Sequence, residues 1–161
     1  MHLIDGYNLL FTGEGPWSLR GPHDLPTAVR ILVSAIDRFC ERRKTAALVA
    51  FDGNPTPGSP GSTARLRILF TGKGRSADDF LRELCDAVPE GEKFAPILVS
   101  SDRAVALHAR AASCRVVCSE AFAKSLQAGL LGKAGASAPA PRNRRLTPSE
   151  VDAWMKEFGL S

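Results

Sequence analysis

Cysteine and histidine are scarce in this chain, and their spacing favours neither a disulfide framework nor a zinc site. The 161 residues include four Cys and three His. Only Cys114 and Cys118 are close, with three residues between them instead of two, and no histidine lies near that pair. We therefore expect buried free thiols in a reducing compartment. We expect no catalytic role for His2, His23 or His108.

Long apolar runs are also missing. No stretch approaches the roughly 20 uninterrupted apolar residues of a membrane helix. Leu3 and Ile4 run directly into Asp5 without the basic segment, apolar core or cleavage site of a leader peptide. We expect a soluble, cytoplasmic protein with no membrane association. The length and the 44% hydrophobic content predict one domain with small appendages.

Strand and helix patterns alternate along the first 131 residues. Short apolar or β-branched runs predict five strands, at 2–4, 46–51, 66–70, 97–99 and 115–118. Periodic apolar residues predict helices at 25–43, from Ser76 onward, at 103–112 and at 120–131, with Asp24, Ser76 and Ser119 as N-caps. The alternation predicts an α/β fold with helices on both faces of a mainly parallel sheet of about five strands.

Two segments interrupt this pattern. Residues 53–63 contain three prolines and three glycines, which predicts a mobile loop close to Asp52. Residues 132–146 have the composition of a flexible basic linker, with Arg142, Arg144 and Arg145. Residues 147–161 predict a C-terminal amphipathic helix containing Trp154. We therefore expect a domain at 1–131, a linker and a terminal helix.

Four aspartates lie where predicted strands end or where the following helix begins. They are Asp5, Asp52, Asp78 and Asp102. The carboxyl ends of parallel strands meet at one edge of a sheet, so these carboxylates should converge there. Carboxylates packed together repel one another unless a cation neutralises them, and Mg²⁺ or Mn²⁺ suits oxygen ligands. The pattern predicts a metal site.

Each aspartate also has a structural explanation. Asp followed by Gly is common in turns, and this applies to Asp5 and Asp52. An acidic residue in a first helical turn stabilises the helix dipole, and this applies to Asp78 and Asp79. Asp79 is the most readily explained in this way, and we keep it as a secondary candidate.

The charge balance favours an anionic partner. Residues 1–133 carry 17 Lys and Arg against 14 Asp and Glu, a net charge of +3. Without the four strand-end aspartates and Asp79, nine acidic residues remain and the net charge is +8. A basic surface around a small acidic cluster suits a polyanion that is attracted over distance and then meets a metal.

Four sequence blocks together resemble a known family. They are IDGYNLL at 4–10, VAFDG at 49–53, GRSADDFL at 74–81 and LVSSDR at 98–103. In this order and spacing they resemble the NYN domain of the PIN-like nuclease superfamily, in its YacP-like branch. The resemblance covers about residues 1–128, and the tail LTPSEVDAWMKEFG is similar to the end of that branch.

The resemblance implies a three-layer α/β/α fold and a metal-dependent endoribonuclease that leaves a 5′-phosphate and a 3′-hydroxyl. Asp5, Asp52, Asp78 and Asp102 would hold Mg²⁺ or Mn²⁺, and Asn8 would orient a carboxylate, a water or a phosphate oxygen. It also implies RNA as substrate, with mRNA on the ribosome and a link to translation or mRNA decay as the expected setting.

Ser100 and Ser101 precede Asp102 and are further secondary candidates. One hydroxyl would contact a metal-bound water or a phosphate, whereas helix capping explains the other equally well. Four basic residues flank the acidic blocks and are the candidates for RNA binding: Arg65, Lys73, Arg75 and Arg103. Aromatic residues are scarce on polar stretches, so sequence-specific reading of bases is not indicated.

Three alternative functions were compared with the sequence, and two of them lack residues that they need. A phosphatase of the haloacid dehalogenase type needs a second aspartate two residues after the first, and Tyr7 occupies that position. A response-regulator receiver needs an acidic pair near the first strand and a late strand-end lysine, and neither is present. A catalytically silent RNA-binding or ribosome-associated module with the same fold is the main alternative. The sequence leaves the oligomeric state open.

Overall fold

The computed structural model describes residues 1–88 and 95–131. These residues contain five strands and five helices in this order: β1 (His2–Asp5), α1 (Gly6–Leu10), α2 (Leu25–Arg43), β2 (Ala47–Phe51), β3 (Leu66–Phe70), α3 (Ala77–Asp86), β4 (Ile97–Val99), α4 (Arg103–Ala111), β5 (Arg115–Val117) and α5 (Ser119–Leu130). The sheet has the order β3-β2-β1-β4-β5, and every neighbouring pair is parallel. The predicted α/β fold is confirmed.

Helices cover both faces of the sheet. One hydrophobic cluster joins the strands to α1, α2 and α5, and a second joins them to α3 and α4. Strand residues alternate between the two, since Ile4 and Val49 belong to the first and Leu3 and Leu48 to the second. With its carboxyl ends fixed between two apolar layers, the sheet is a rigid base for the loops that follow the strands.

Helix α2 shows how sequence signals set the boundaries of an element. The Asp24 side chain accepts a hydrogen bond from the Thr27 backbone N–H at 2.9 Å, and Pro26 lies in the first turn. Lys44 ends the helix in the left-handed region, with φ of 51°. The predicted bounds and the predicted cap of this helix are confirmed.

The strand order reverses between β1 and β4. Asp5 at the end of β1 lies opposite Ala50 in β2, and Ile4 lies opposite Val99 in β4. Strands β2 and β3 lie on one side of β1, and β4 and β5 on the other. In open α/β sheets a crevice forms at the carboxyl ends of the strands at such a reversal, and ligands bind there.

The connection from β2 to β3 contains no helix or strand and returns the chain to the opposite end of the sheet. A bridge between Gly53 and Gly72, with a backbone hydrogen bond of 2.9 Å, joins its start to the segment that follows β3. The hydroxyl of Thr63 donates to the Asp37 carboxylate of α2 at 2.6 Å. Hydrogen bonds therefore anchor both ends of this predicted loop.

One helix was not predicted, and two local predictions need correction. Helix α1 was not predicted, because five residues are too short for an apolar period to be visible. Helix α5 begins at Ser119 itself, and Cys118 occupies the N-cap position without a side-chain cap bond. Cys118 is also exposed, whereas the other three thiols, Cys40, Cys85 and Cys114, are buried and free as expected.

The predicted linker at 132–146 and the predicted helix at 147–161 lie outside the described residues, so both stay predictions. Within residues 1–88 and 95–131, no helix is long and apolar enough to span a membrane.

Candidate active site

The first strand ends at the centre of the carboxyl edge. Asp5 is both the last residue of β1 and the N-cap of α1, and its Oδ1 accepts a hydrogen bond from the Asn8 backbone N–H at 3.0 Å. Only 7% of Asp5 is exposed. Gly6 follows because the Phe51 ring leaves no room for a Cβ, which would lie 2.4 Å from the nearest ring carbon. Close packing of α1 on β2 thus fixes the Asp5 carboxylate.

Asp52 and Asp78 come to the same edge from neighbouring elements. Asp52 follows β2, and its Oδ1 accepts a hydrogen bond from the Ala77 backbone N–H at 2.7 Å. That bond ties the first turn of α3 to the end of β2 and places the next residue, Asp78, beside Asp5. Ser76 caps the same helix by accepting a hydrogen bond from the Asp79 N–H at 3.0 Å, as predicted.

Asp102 approaches from the other side of β1. It is the N-cap of α4, and its Oδ1 accepts a hydrogen bond from the Val105 backbone N–H at 2.9 Å. The Ser100 hydroxyl accepts a hydrogen bond from the Asp102 N–H at 3.1 Å, and Ser100 is 1% exposed. Ser100 therefore shapes the turn that presents Asp102.

The carboxylates of Asp5 and Asp78 lie close enough to other aspartates at this edge for their charges to interact. Burial raises the pKa of Asp5 to about 7; the Asn8 N–H opposes this shift, and the nearby Asp78 and Asp52 carboxylates add to it. The pKa of Asp78 is also raised, first by burial and then by Asp102 and Asp52. The Asp5 and Asp78 carboxyl groups lie within hydrogen-bonding reach of each other. Ionising both Asp5 and Asp78 without a bound cation is therefore unfavourable.

The donor chemistry of this cluster fits a hard divalent cation. The backbone bonds of Asp5, Asp52 and Asp102 each use one carboxylate oxygen, Oδ1, so the second oxygen is not needed for them. As the side chains stand in residues 1–88 and 95–131, however, no three His, Cys, Asp or Glu residues form a group that could hold an ion. A bound cation would require the carboxylates to draw closer together.

Asn8 joins three elements behind the carboxylates. Its side-chain oxygen accepts hydrogen bonds from the Ser101 backbone N–H at 2.9 Å and from the Ser119 hydroxyl at 2.6 Å. The Ser101 hydroxyl in turn accepts a hydrogen bond from the Ser119 N–H at 2.9 Å and donates to the Glu120 carboxylate. The hydroxyl of Ser101, although its residue is exposed, is therefore engaged in hydrogen bonds within the protein.

Sequence reasoning gave Ser119 only a capping role and did not consider Glu120 for the site. Both follow the last strand, at the same carboxyl edge as the aspartates, and this position is the signal that could have found them. Ser119 is fully buried. The Ser101 hydroxyl lowers the pKa of Glu120, which keeps this exposed carboxylate ionised.

The structure separates the predicted basic residues. Lys73 and Arg75 follow β3, and Arg103 begins α4. All three therefore lie at the carboxyl ends of the strands, where the four aspartates are; we call this the acidic edge. Lys73 and Arg103 are exposed. Arg75 contacts Glu83 and lies over the Phe80 ring at 4.9 Å. Arg65 precedes β3, at the amino-terminal end of the strands, where its carbonyl accepts a hydrogen bond from the Ala47 N–H at 2.9 Å. Arg65 therefore lies apart from the other three, and a role for it in RNA binding stays a prediction.

Asp79 differs from its neighbour in the sequence. It is exposed, and its carboxylate contacts Arg82 at 3.4 Å on the surface of α3. This pair is one helical turn apart, and such pairs stabilise a helix only slightly.

Comparisons with known proteins define the class. A model of the YacP-like NYN domain matches residues 2–147. The chain therefore belongs to the YacP-like NYN family, a nuclease-type family whose members generally depend on divalent metals. This agrees with the resemblance seen in the four sequence blocks.

Solved structures show the same fold. The crystal structure of Rae1 (YacP) from Bacillus subtilis is similar with a TM-score of 0.66 and 15% identity, over 99% of this chain and 83% of that chain. The W164L mutant of the same protein gives a TM-score of 0.65 and 16% identity, over 81% of this chain and 77% of that chain. No curated protein matches the chain.

Proposed function

We propose that this protein is a Mg²⁺- or Mn²⁺-dependent endoribonuclease whose site is formed by Asp5, Asp52, Asp78 and Asp102. The observation that carries the proposal is that these carboxylates approach one another at the ends of the strands, where Asp5 is buried. Helix capping explains Asp5 and Asp102 individually, but it does not require Asp78 and Asp52 to lie close enough to add to the burial that raises the pKa of Asp5 to about 7. Clustering that opposes stability is expected where function requires it.

The residues of the chain would divide the work. A divalent cation at the cluster would lower the pKa of a bound water and offset the negative charge that develops on the phosphate. Asp5, Asp52 and Asp78 approach one side of the edge, and Asp102 approaches the other. Asn8 uses its side-chain oxygen internally, so its amide N–H groups are the ones suited to a carboxylate, water or phosphate oxygen.

Basic residues would bring the RNA to the edge. Lys73 lies in the turn between β3 and α3, Arg103 lies next to Asp102, and both are exposed. Contacts to phosphate oxygens fix the position of a strand without reading its sequence. Arg75 is held by Glu83 and Phe80, so we assign it a supporting role. Cleavage in the cytoplasm, of mRNA on the ribosome, is the setting we propose from the family resemblance.

The proposal is tested by comparing the wild type with Asp5→Asn and Asp102→Asn on single-stranded and structured RNA. Both variants keep an oxygen that can cap the helix, so they remove charge and preserve the fold. We expect cleavage by the wild type with Mn²⁺, none with a chelator, and a loss of at least about 100-fold in each variant. Equal cleavage by all three proteins would refute the assigned site.

One observation favours a second candidate, a catalytically silent RNA-binding module. In the described residues the carboxylates do not form a ready group of three ligands. Tight RNA binding by the wild type without cleavage, with either metal and with or without ribosomes, would support this alternative. Cleavage only when ribosomes are present would instead keep the nuclease and identify its partner.

A further inference from the structure

Phe11, directly after α1, exposes an aromatic ring beside the acidic edge. Its side chain is among the exposed large hydrophobic groups, with 62% of the residue accessible. Its ring stacks on Tyr7, with centroids 5.8 Å apart and an interplanar angle of 17°. Tyr7 in turn packs edge-on against Phe51 at 5.1 Å. The exposed ring is therefore supported from below by two further rings.

The position of this pair follows from helix geometry. Tyr7 and Phe11 are four residues apart, so they share one face of α1, next to the face of Asn8. The backbone N–H of Phe11 donates to the Tyr7 carbonyl at 2.9 Å, which fixes the last turn. With a rise of 1.5 Å per residue, Phe11 lies about 9 Å along the helix from Asp5.

An aromatic ring exposed to water adds little to the stability of the fold. Single exposed apolar residues are common and need no explanation by themselves. Phe11 differs because its ring stacks on another ring, at the end of a short helix that Asp5 caps and that contains Asn8. Leu9, on the face of this helix opposite the two rings, and Leu10, beside that pair, are both fully buried, which holds the helix in one orientation.

We propose that Phe11, stacked on Tyr7, binds an unpaired nucleobase of the RNA whose backbone crosses the acidic edge. This inference rests on the proposed function. Exposed cations at the same edge, Lys73 and Arg103, suit the phosphates, and an aromatic face suits any base. Stacking requires an unstacked base, so the site selects single-stranded RNA over duplex without reading the sequence.

Binding is measured with short unstructured oligoribonucleotides that carry the fluorescent base 2-aminopurine at one position each. The wild type, Phe11→Leu and Phe11→Trp are compared with chelator and with Mn²⁺. Phe11→Leu keeps apolar area but loses the aromatic face, whereas Phe11→Trp keeps that face. Leu107→Ala is the matched control, because Leu107 is 67% exposed on α4 and outside the site.

We expect quenching of 2-aminopurine at one position by the wild type and Phe11→Trp, and its loss in Phe11→Leu. The dissociation constant should rise roughly tenfold in Phe11→Leu, and the cleavage defect should lie in KM with kcat nearly unchanged. Leu107→Ala should match the wild type. Single-stranded RNA should lose affinity in Phe11→Leu, and duplex RNA should not.

Two negative results have different meanings. Equal quenching, affinity and cleavage by the wild type and Phe11→Leu would overturn the stacking site and leave the nuclease proposal intact. A wild type that neither binds nor cleaves RNA under any of these conditions would overturn the proposed function, and the stacking site with it.

Discussion

The side-chain oxygen of Asn8 accepts a hydrogen bond of 2.6 Å from the hydroxyl of Ser119, a residue 111 positions further along the chain. The same oxygen accepts from the Ser101 backbone N–H. One amide oxygen thus holds α1, the turn before α4 and the start of α5 together. This arrangement gives Asn8 a structural role behind the carboxylates, whatever it also contacts in a complex.

Asn8→Ala is therefore expected to destabilise the protein by about 1–3 kcal/mol, because the buried Ser119 hydroxyl and the Ser101 N–H lose their acceptor. Urea unfolding measures the change. Ser125→Ala is the control, since it removes an exposed hydroxyl that donates a hydrogen bond to the Ala121 carbonyl of the same helix. An Asn8→Ala variant as stable as this control would contradict the role assigned to Asn8.

Asp5→Asn is expected to stabilise the metal-free protein at pH 8 by up to about 4 kcal/mol. The folded-state pKa of Asp5, about 7, lies above its unfolded value, so ionisation costs stability as the pH rises towards 7. Asn removes this cost and keeps an oxygen for the Asn8 N–H. The gain should shrink at pH 5, where the folded protein carries a neutral Asp5.

Asp24→Asn is the matched control for this prediction, because it changes an exposed N-cap of the same type. We expect no gain in stability from it at pH 8. Thermal unfolding at both pH values, without divalent metal, distinguishes the two variants. Destabilisation by Asp5→Asn at pH 8 would contradict the raised pKa of Asp5.

His2 gives a pH dependence of the opposite sign. Its ring packs against Phe39 and Phe122, and burial, followed by the N-terminal charge, lowers its pKa to about 3. The unfolded chain binds a proton below about pH 6.5, so this histidine reduces stability as the pH falls from there towards 3. Between pH 7 and pH 5, His2→Leu should gain about 2 kcal/mol relative to the wild type. A difference that does not change with pH would contradict the shift.

Lys73→Ala and Arg103→Ala should each weaken RNA binding and reduce the slope of log affinity against log salt by about one. Both residues are exposed at the acidic edge. Arg110→Ala is the control, because Arg110 is exposed near the other end of α4. Fluorescence anisotropy at several salt concentrations gives the slopes. Equal slopes for all three variants would refute a phosphate path along this edge.

The sequence predicted those parts of the fold that local signals determine. The bounds of α2 follow from Asp24, Pro26 and the apolar period, and the convergence of the aspartates follows from parallel strands whose ends are visible as Asp5 and Asp52. Both predictions needed only short-range patterns and one topological rule.

The rest depends on contacts that no local pattern shows. The hydrogen bond between Asn8 and Ser119 joins residues that are distant in sequence. Both are uncharged, so the charge pattern does not single them out as site residues. Phe11 could be placed at the edge only once α1 was known. Arg65 could have been placed apart from Lys73, because the strand between them spans about 16 Å. Arg65 was grouped with Lys73 because the two are close in sequence, although they lie at opposite ends of β3.

The central claim is tested most directly by the rate of RNA cleavage with Mn²⁺ in Asp78→Asn and in Asp79→Asn. The two residues are adjacent, but the Asp78 carboxyl group lies beside that of Asp5, whereas Asp79 is exposed and contacts Arg82. We predict a loss of at least about 100-fold for Asp78→Asn and a rate within about twofold of wild type for Asp79→Asn. Equal rates in the two variants would contradict a metal-dependent nuclease site at these aspartates.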